Sequence, residues 1–359
     1  MVSKGIWALS FLVCISQLTG CGSGGLSQST LSEIRKAQER MLTVDAHVGN
    51  RNLEKFINDM RSGGLDAAVF MVEPGESSMR GEDDRASYSL AVDRIRQIRR
   101  VIEAHASIIG FARTADEAYR LEKEGRRAAY IGLADGDPIG ADAARVSSLY
   151  AEGLLFLSLC GARDNAICDS ALDAALAEDR GLSGFGRKVV AECNRLGVVI
   201  DIAQCSSKAF FDVLETSRSP VIVSRAAAWH LSSVPGNLTD EMIRAVAEKG
   251  GVIMASLERA RLVAGLRSRA PTVADFADHI DHIVEVGGIA SAGIGSGFGE
   301  GGGISGCSSP RQILGLTVEL LRRGYSESRI EAVWGGNVMR VVRRAQETAA
   351  AGGKRREDY

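Results

Sequence analysis

The sequence predicts an α/β fold, a single-domain TIM-like (β/α)8 barrel, from three observations. Short apolar, β-prone runs alternate with longer amphipathic stretches from residue 40 onward. Eight such runs can be counted, and their near-continuous apolar character marks parallel strands covered by helices. The chain of 359 residues is 45% hydrophobic and 25% charged, ordinary globular composition and long enough for one large core.

The strands are predicted at 41–45, 66–71, 128–133, 154–159, 198–202, 220–224, 251–256 and 292–296. Helical patterns lie between them at 87–104, 185–196, 208–216, 240–249, 273–286 and 309–323. In the second of these, Phe185, Val189, Val190 and Cys193 share one face and Arg187, Lys188 and Arg195 lie away from it. Chemistry in such barrels gathers at the C-terminal ends of the strands. Here those ends are residues 45–49, 134–137, 160–161, 204–206, 224–226 and 297–300.

The first residues do not belong to the barrel. Lys4 precedes an apolar run, residues 6–18, that is too short to span a bilayer comfortably. Leu18-Thr19-Gly20-Cys21 resembles a bacterial lipoprotein signal. That resemblance implies cleavage before Cys21 and a lipid on it, hence a chain anchored in the bacterial cell envelope; the plain alternative is a secretory signal with an incidental cysteine. Gly22 after the cysteine implies the outer membrane, facing the periplasm. The expected organisation is a signal over 1–20; lipidated Cys21, an unstructured tether and lead-in over 21–39; the barrel over 40–345; and a tail over 346–359, frayed at Gly352-Gly353.

The remaining cysteines, Cys160, Cys168, Cys193, Cys205 and Cys307, are odd in number and form no CxxC. They therefore write neither a disulfide framework nor a zinc ribbon and read as small buried hydrophobes, with a single bridge left open. A net charge of -2 and 5% aromatics give no reason to expect nucleic acid as a partner.

Gly181-Leu182-Ser183-Gly184-Phe185-Gly186-Arg187-Lys188-Val189-Val190, with Asn194-Arg195-Leu196-Gly197 and Ile200-Asp201 after it, closely resembles the membrane (renal-type) dipeptidase family, peptidase family M19. Val44-Asp45-Ala46-His47, Pro220-Val221-Ile222-Val223-Ser224, Gly293-Ile294-Gly295-Ser296, Arg323-Gly324-Tyr325-Ser326-Glu327 and Gly336-Asn337 extend the likeness in family order over residues 40 to 342. The resemblance implies a TIM-like barrel and, in the family, two zinc ions held by His, Asp and Glu side chains at the strand ends. A bridging water attacks the peptide carbonyl there, and an Asp handles its proton. Homodimers are common in the family.

Residue by residue, those positions are altered. The family's His-x-Asp pair is His47 followed by Gly49; the bridging Glu is Ala134, before Asp135-Gly136; the His of a Thr-His pair is Gly161, after Cys160. The His ending Ile-Asp-Leu-Ser-His is Gln204, the His of Ser-His is Arg225, and the proton-handling Asp of Gly-Ile-Gly-Ser-Asp-Phe is Gly297. One of seven positions, His47, survives. Gly and Ala donate nothing, Gln is a poor zinc ligand, and a guanidinium stays protonated. No resident metal and no dipeptide hydrolysis by the two-zinc route are expected.

The leading expectation is a lipid-anchored pseudoenzyme whose cleft, around His47, Arg225, Gln204 and Asp135, binds a small peptide-like or carboxylate ligand or an envelope protein. Arg225 is expected either to pair with a ligand carboxylate or to be neutralised by Asp45 or Asp201. The alternative is a working zinc hydrolase with a reduced site, such as His47 with Cys205 and Asp135; a third possibility is an envelope scaffold. His279 and His282 share a helix face and read as a solvated pair. The Gly-rich stretch 295–306 lacks GxxxxGK[ST] and reads as a flexible active-face loop, and no GxSxG elbow is present.

Overall fold

The structure, a computed structural model, describes residues 26–73, 84–173, 179–265 and 269–357. The signal over 1–20 and Cys21 lie outside the described residues. Eight parallel strands follow one another in the sheet: β1 (Val44–Gly49), β2 (Ala67–Val72), β4 (Arg127–Leu133), β5 (Leu154–Ser158), β6 (Val199–Asp201), β7 (Ile222–Ala226), β8 (Val252–Ala255) and β9 (Ala292–Ile294). The segment after β9 returns to β1: Gly49 N–H donates to the Phe298 carbonyl at 2.7 Å and Gly297 N–H to the His47 carbonyl at 2.9 Å. The expected TIM-like (β/α)8 architecture is therefore present as a nearly closed barrel.

Strand parity separates two cores. Ala67, Val69 and Met71 join Tyr130, Phe156, Val252 and Met254 inside the barrel, where Val338, Met339 and Val342 of the last helix also pack. Ala68, Phe70 and Val72 face the other way, packing with helix residues such as Ile57, Ile95 and Val189. Both sets are buried, so a strand reads as continuously apolar although its side chains alternate between two cores.

The helices are α1 (Gln28–Gln38), α2 (Leu53–Gly63), α3 (Asp84–Ala104), α4 (Ala115–Lys123), α5 (Ala144–Glu152), α6 (Gly184–Leu196), α7 (Ser207–Thr216), α8 (Asp240–Glu248), α9 (Arg259–Leu262), α10 (Val273–Gly287), α11 (Leu314–Arg322), α12 (Glu327–Glu331) and α13 (Asn337–Glu357). The family-like segment before α6 works as a helix start: Ser183 Oγ accepts the Gly186 N–H at 2.8 Å. Asn337 donates from Nδ2 to the carbonyls of Ile289 and Ala292 at 2.7 and 2.8 Å, fastening α13 to the start of β9. No helix of the described residues is long and apolar enough to cross a membrane.

Four sequence expectations need correction. The first strand is Val44–Gly49, not 41–45: Ala46, His47 and Val48 continue it, and the polar His47 disguised its second half. A ninth strand, β3 (Ile109–Phe111), pairs with the start of β4, too short to show an alternation. The tether and lead-in expected over 21–39 are helical from Gln28, because Ser27 Oγ caps the helix by accepting the Thr30 N–H and Ile34 and Ala37 are buried. The tail expected to fray at Gly352-Gly353 is helical to Glu357, continuing an Ala-rich run whose propensity offsets the two glycines.

Candidate functional site

Two strand irregularities aim the site. Pairing shifts register between Asp45 and Val48 on β1 and between Val223 and Ala226 on β7. Such bulges re-aim side chains at barrel rims. Here they flank His47, Ser224 and Arg225. Two buried carboxylates hold these strand ends. Asp45 Oδ1 accepts N–H groups from His47 at 3.2 Å and Ser296 at 2.9 Å. Asp201 Oδ1 accepts those of Ala203 at 2.9 Å and Ser224 at 2.8 Å. Burial raises Asp45 to about 6, against the pull of its hydrogen bonds.

His47 is 1% exposed and engaged at both nitrogens. Nδ1 lies 2.9 Å from Ser224 Oγ, and Nε2 lies 3.1 Å from Glu300 Oε2. A carboxylate only accepts, so Nε2–H is the donor to Glu300, and the Ser224 hydroxyl can donate to the Nδ1 lone pair.

Glu300 links His47 to a chain of charges. Arg225 Nη1 donates to Glu300 Oε2 at 3.0 Å and lies 3.4 Å from Glu258 Oε1; Arg261 Nε donates to Glu258 Oε2 at 3.1 Å. Burial alone would raise Glu300, but His47 and Arg225 overcome it and hold the carboxyl below its ordinary range. Its Oε1 is buried without a hydrogen-bond partner. Gln204 completes the collar, its amide oxygen accepting from Arg225 Nη2 at 2.9 Å and its nitrogen 3.3 Å from the Gly161 carbonyl. Arg225 is thus neutralised, but by Glu300 and Glu258, not by the Asp45 or Asp201 expected from sequence.

The three family positions that hold glycine here are filled from their neighbours. A Cβ on Gly49 would lie 2.8 Å from Glu300 Cγ, one on Gly161 would overlap Asp135 Oδ2, and one on Gly297 would lie 3.1 Å from Glu258 Cγ. Gly297 also has φ +69°, a conformation that β-carbon-bearing residues rarely adopt. Asp135 is fixed through Oδ1, which accepts from Asp137 N–H and Asn165 Nδ2, both at 3.0 Å. Burial raises it to about 7. Of these groups, Glu300, Arg225, Gln204 and Asp135 line a cleft of about 410 Å³ whose wall also includes Arg51, Glu73 and Ala134; His47 lies buried behind Glu300.

Sequence reasoning placed His47, Arg225, Gln204 and Asp135 in one cleft. The structure puts His47, Gln204 and Arg225 in contact through one network, with Asp135 in the wall of the cleft that Gln204 and Arg225 line. It missed Glu300, Glu258 and Glu73. A signal existed for Glu300, the lone acid in the Gly-rich stretch 295–306 at a strand end. That stretch is an ordered turn bridging Val48, Phe298 and Gly302, and it delivers an anion to the cleft, the opposite of a phosphate cradle. His279 is buried, with Nδ1 accepting the Ala228 N–H at 3.0 Å, while His282 stacks on His230 and pairs with Asp240. They are not a solvated pair.

His47, Cys205 and Asp135 do not converge. Among the described residues, the cluster with metal-ligating geometry is Cys160, Cys168 and Cys205, with sulfurs within 4.8 Å of one another. The five described cysteines are buried free thiols.

The family's two-zinc centre does not fit these residues. Its surviving imidazole has both nitrogens committed, a guanidinium stands within the ion network, and neighbouring side chains occupy the space at positions 49, 161 and 297.

Residues 30–356 match the membrane dipeptidase family, peptidase family M19. Dipeptidase tcpJ of Claviceps purpurea (strain 20.1) is 28% identical over 308 residues, 84% of this chain and 71% of its own. Dipeptidase 3 of Rattus norvegicus is 32% identical over 268 residues, 74% of this chain; the match spans about half of that relative, 54%. The crystal structure of the probable dipeptidase PvdM from Pseudomonas aeruginosa superposes with a TM-score of 0.82 at 22% identity, covering 90% of this chain and 100% of that one, a likeness of fold. The chain belongs to the membrane dipeptidase family, peptidase family M19.

Proposed function

We propose that this chain is a dipeptidase-family protein that has given up two-zinc hydrolysis and uses its cleft to bind a small, zwitterionic, peptide-like ligand. The observation that carries the proposal is the His47–Glu300–Arg225 network, which engages both imidazole nitrogens and sets a permanent cation among them. A zinc ion there would have to displace Glu300 from two partners and sit against Arg225. What remains is a cleft of about 410 Å³, within the size range of small-molecule sites, with Asp135, Glu73 and Glu300 facing Arg51 and Arg225. Such mixed charge suits the two ends of a peptide-like zwitterion. Since Arg225 is already paired, it contributes as part of the network and not as a free carboxylate receptor.

The chain is held at the bacterial cell envelope, on the outer membrane, by lipid on Cys21; the sequence Leu18-Thr19-Gly20-Cys21 supports this. Labelling with a radioactive fatty acid that persisted in Cys21→Ser would refute the anchor. Catalysis is tested by turnover of a dipeptide panel with added zinc. The expected result is no hydrolysis above the blank. Zinc-stimulated turnover that disappears in His47→Ala would establish the other reading, a hydrolase with a reduced metal site. Ligand binding is tested by thermal shift with the same panel.

A further inference from the structure

We propose that Cys160, Cys168 and Cys205 form a binding site for one thiophilic cation, zinc(II) or copper(I), displaced from the family's cleft and built on different residues. Cys205 Sγ lies 3.8 Å from Cys160 Sγ and 3.9 Å from Cys168 Sγ. Two sulfurs bound to one tetrahedral zinc at about 2.3 Å are about 3.8 Å apart, so a cation could enter with little movement of the chain. Soft thiolates select zinc and copper(I) over calcium or magnesium. Three thiolates suffice for trigonal copper(I), whereas zinc takes a fourth donor, which water can supply.

The placement of the three residues is not that of scattered core cysteines. Cys160 and Cys205 flank Gly161 and Gln204, two of the family positions that no longer carry a ligand. Cys168 comes from the loop before α6, and that loop is tied to the end of β6 from both sides. Ala171 N–H donates to the Gln204 carbonyl at 2.8 Å, and Ser206 N–H donates to the Asp169 carbonyl at 2.9 Å. Asn165 Oδ1 accepts the N–H groups of Ile167 and Cys168. Gln204 holds φ +65°, unusual for a residue with a side chain, at the turn that presents Cys205. Strain and a doubly tied loop thus converge on the three sulfurs.

Access is provided as well. Cys205, 5% exposed, lines a groove of about 510 Å³ together with Asp169, Ser206, Phe210 and Trp229. Cys193 and Cys307 serve as internal contrasts. Each is buried and lies outside the cluster, as expected of a small hydrophobe.

The test uses the reduced full-length chain, loaded without oxygen with zinc chloride in one arm and chelate-delivered copper(I) in the other, then desalted. Expected in at least one arm is one retained equivalent, whose X-ray absorption fine structure shows three sulfurs at about 2.3 Å. Cys168→Ser should weaken retention at least tenfold, while Cys193→Ser leaves it unchanged. Retention of neither metal overturns the proposal, as does a shell with fewer than three sulfurs. The wild-type spectrum decides even where a variant fails to fold. A nitrogen and oxygen shell that is lost in His47→Ala would in addition place metal at His47 and refute the functional reading above; failure to bind would leave that reading untouched.

Discussion

Glu300 occupies the space that a side chain at Gly49 would need: a Cβ there would lie 2.8 Å from Glu300 Cγ and 3.2 Å from its Oε1. A side chain at position 49 and the carboxylate of Glu300, brought in by the loop after β9, compete for one volume. Restoring the family carboxylate at position 49 therefore should not restore the old centre. Gly49→Asp is expected to destabilise the fold by about 1–3 kcal/mol, the usual cost of overpacking, with like-charge repulsion added. Glu300→Gly in the same chain should relieve part of that cost. Urea unfolding of the two single variants and the double variant measures the coupling, and strictly additive effects would contradict the overlap.

Arg225 joins His47 in keeping Glu300 ionised in a nearly dry setting; the Arg225 and Glu300 side chains are 17% and 5% exposed. Arg225→Met should cost about 3 kcal/mol, the lower end for breaking a buried ion pair, because water still reaches the guanidinium side of the cleft. Adding Glu300→Gln should recover much of the loss by removing the stranded charge. Equilibrium denaturation provides the check, and a double variant no more stable than Arg225→Met would count against the pairing.

Asp135 gives the protein a pH dependence of predictable sign. Burial raises its folded-state value from 3.8 to about 7. The folded chain then binds the proton more tightly than the unfolded chain, so this contribution to stability is full below about pH 4 and is lost as pH rises toward 7. Asp135→Asn mimics the protonated form and retains an oxygen to accept from Asp137 N–H and Asn165 Nδ2. It should match the wild type near pH 4 and exceed it increasingly up to pH 7. The ceiling is about 4 kcal/mol at 1.36 kcal/mol per unit, reduced where the cleft admits water. Stability curves that run parallel across this range would refute the assignment.

The barrel was legible because its signals are local: apolar runs, helix periodicity and the ordered motifs around Ser183 and Asn337 each report on neighbours in sequence. The positions at which this sequence departs from the family's motifs could be named for the same reason, by motif. What replaced them was not. Glu300 reaches His47 across 253 residues and Arg225 across 75, and Cys160 meets Cys205 across 45. Such contacts exist only once the barrel closes, and no spacing rule announces them. The strand expected at 41–45 failed because His47, a buried polar residue, interrupted an apolar run that the backbone does not interrupt.

Removing Glu300 tests the electrostatic design of the cleft directly. In Glu300→Ala, Arg225 would lose its 3.0 Å partner and His47 the acceptor for Nε2–H, leaving two donors around a space shaped for a carboxylate. A small carboxylate should re-enter it. Acetate or formate is expected to raise the melting temperature of Glu300→Ala in a saturable way, by up to about 2.7 kcal/mol in stability at a hundredfold excess over Kd. Chloride at equal ionic strength should not reproduce the gain, because a spherical ion cannot accept from both donors in the geometry of a carboxylate. The wild type should not respond, since its own carboxylate already fills the place. An equal acetate response in both proteins would mean that Glu300 is not the anion that holds the centre of this cleft together.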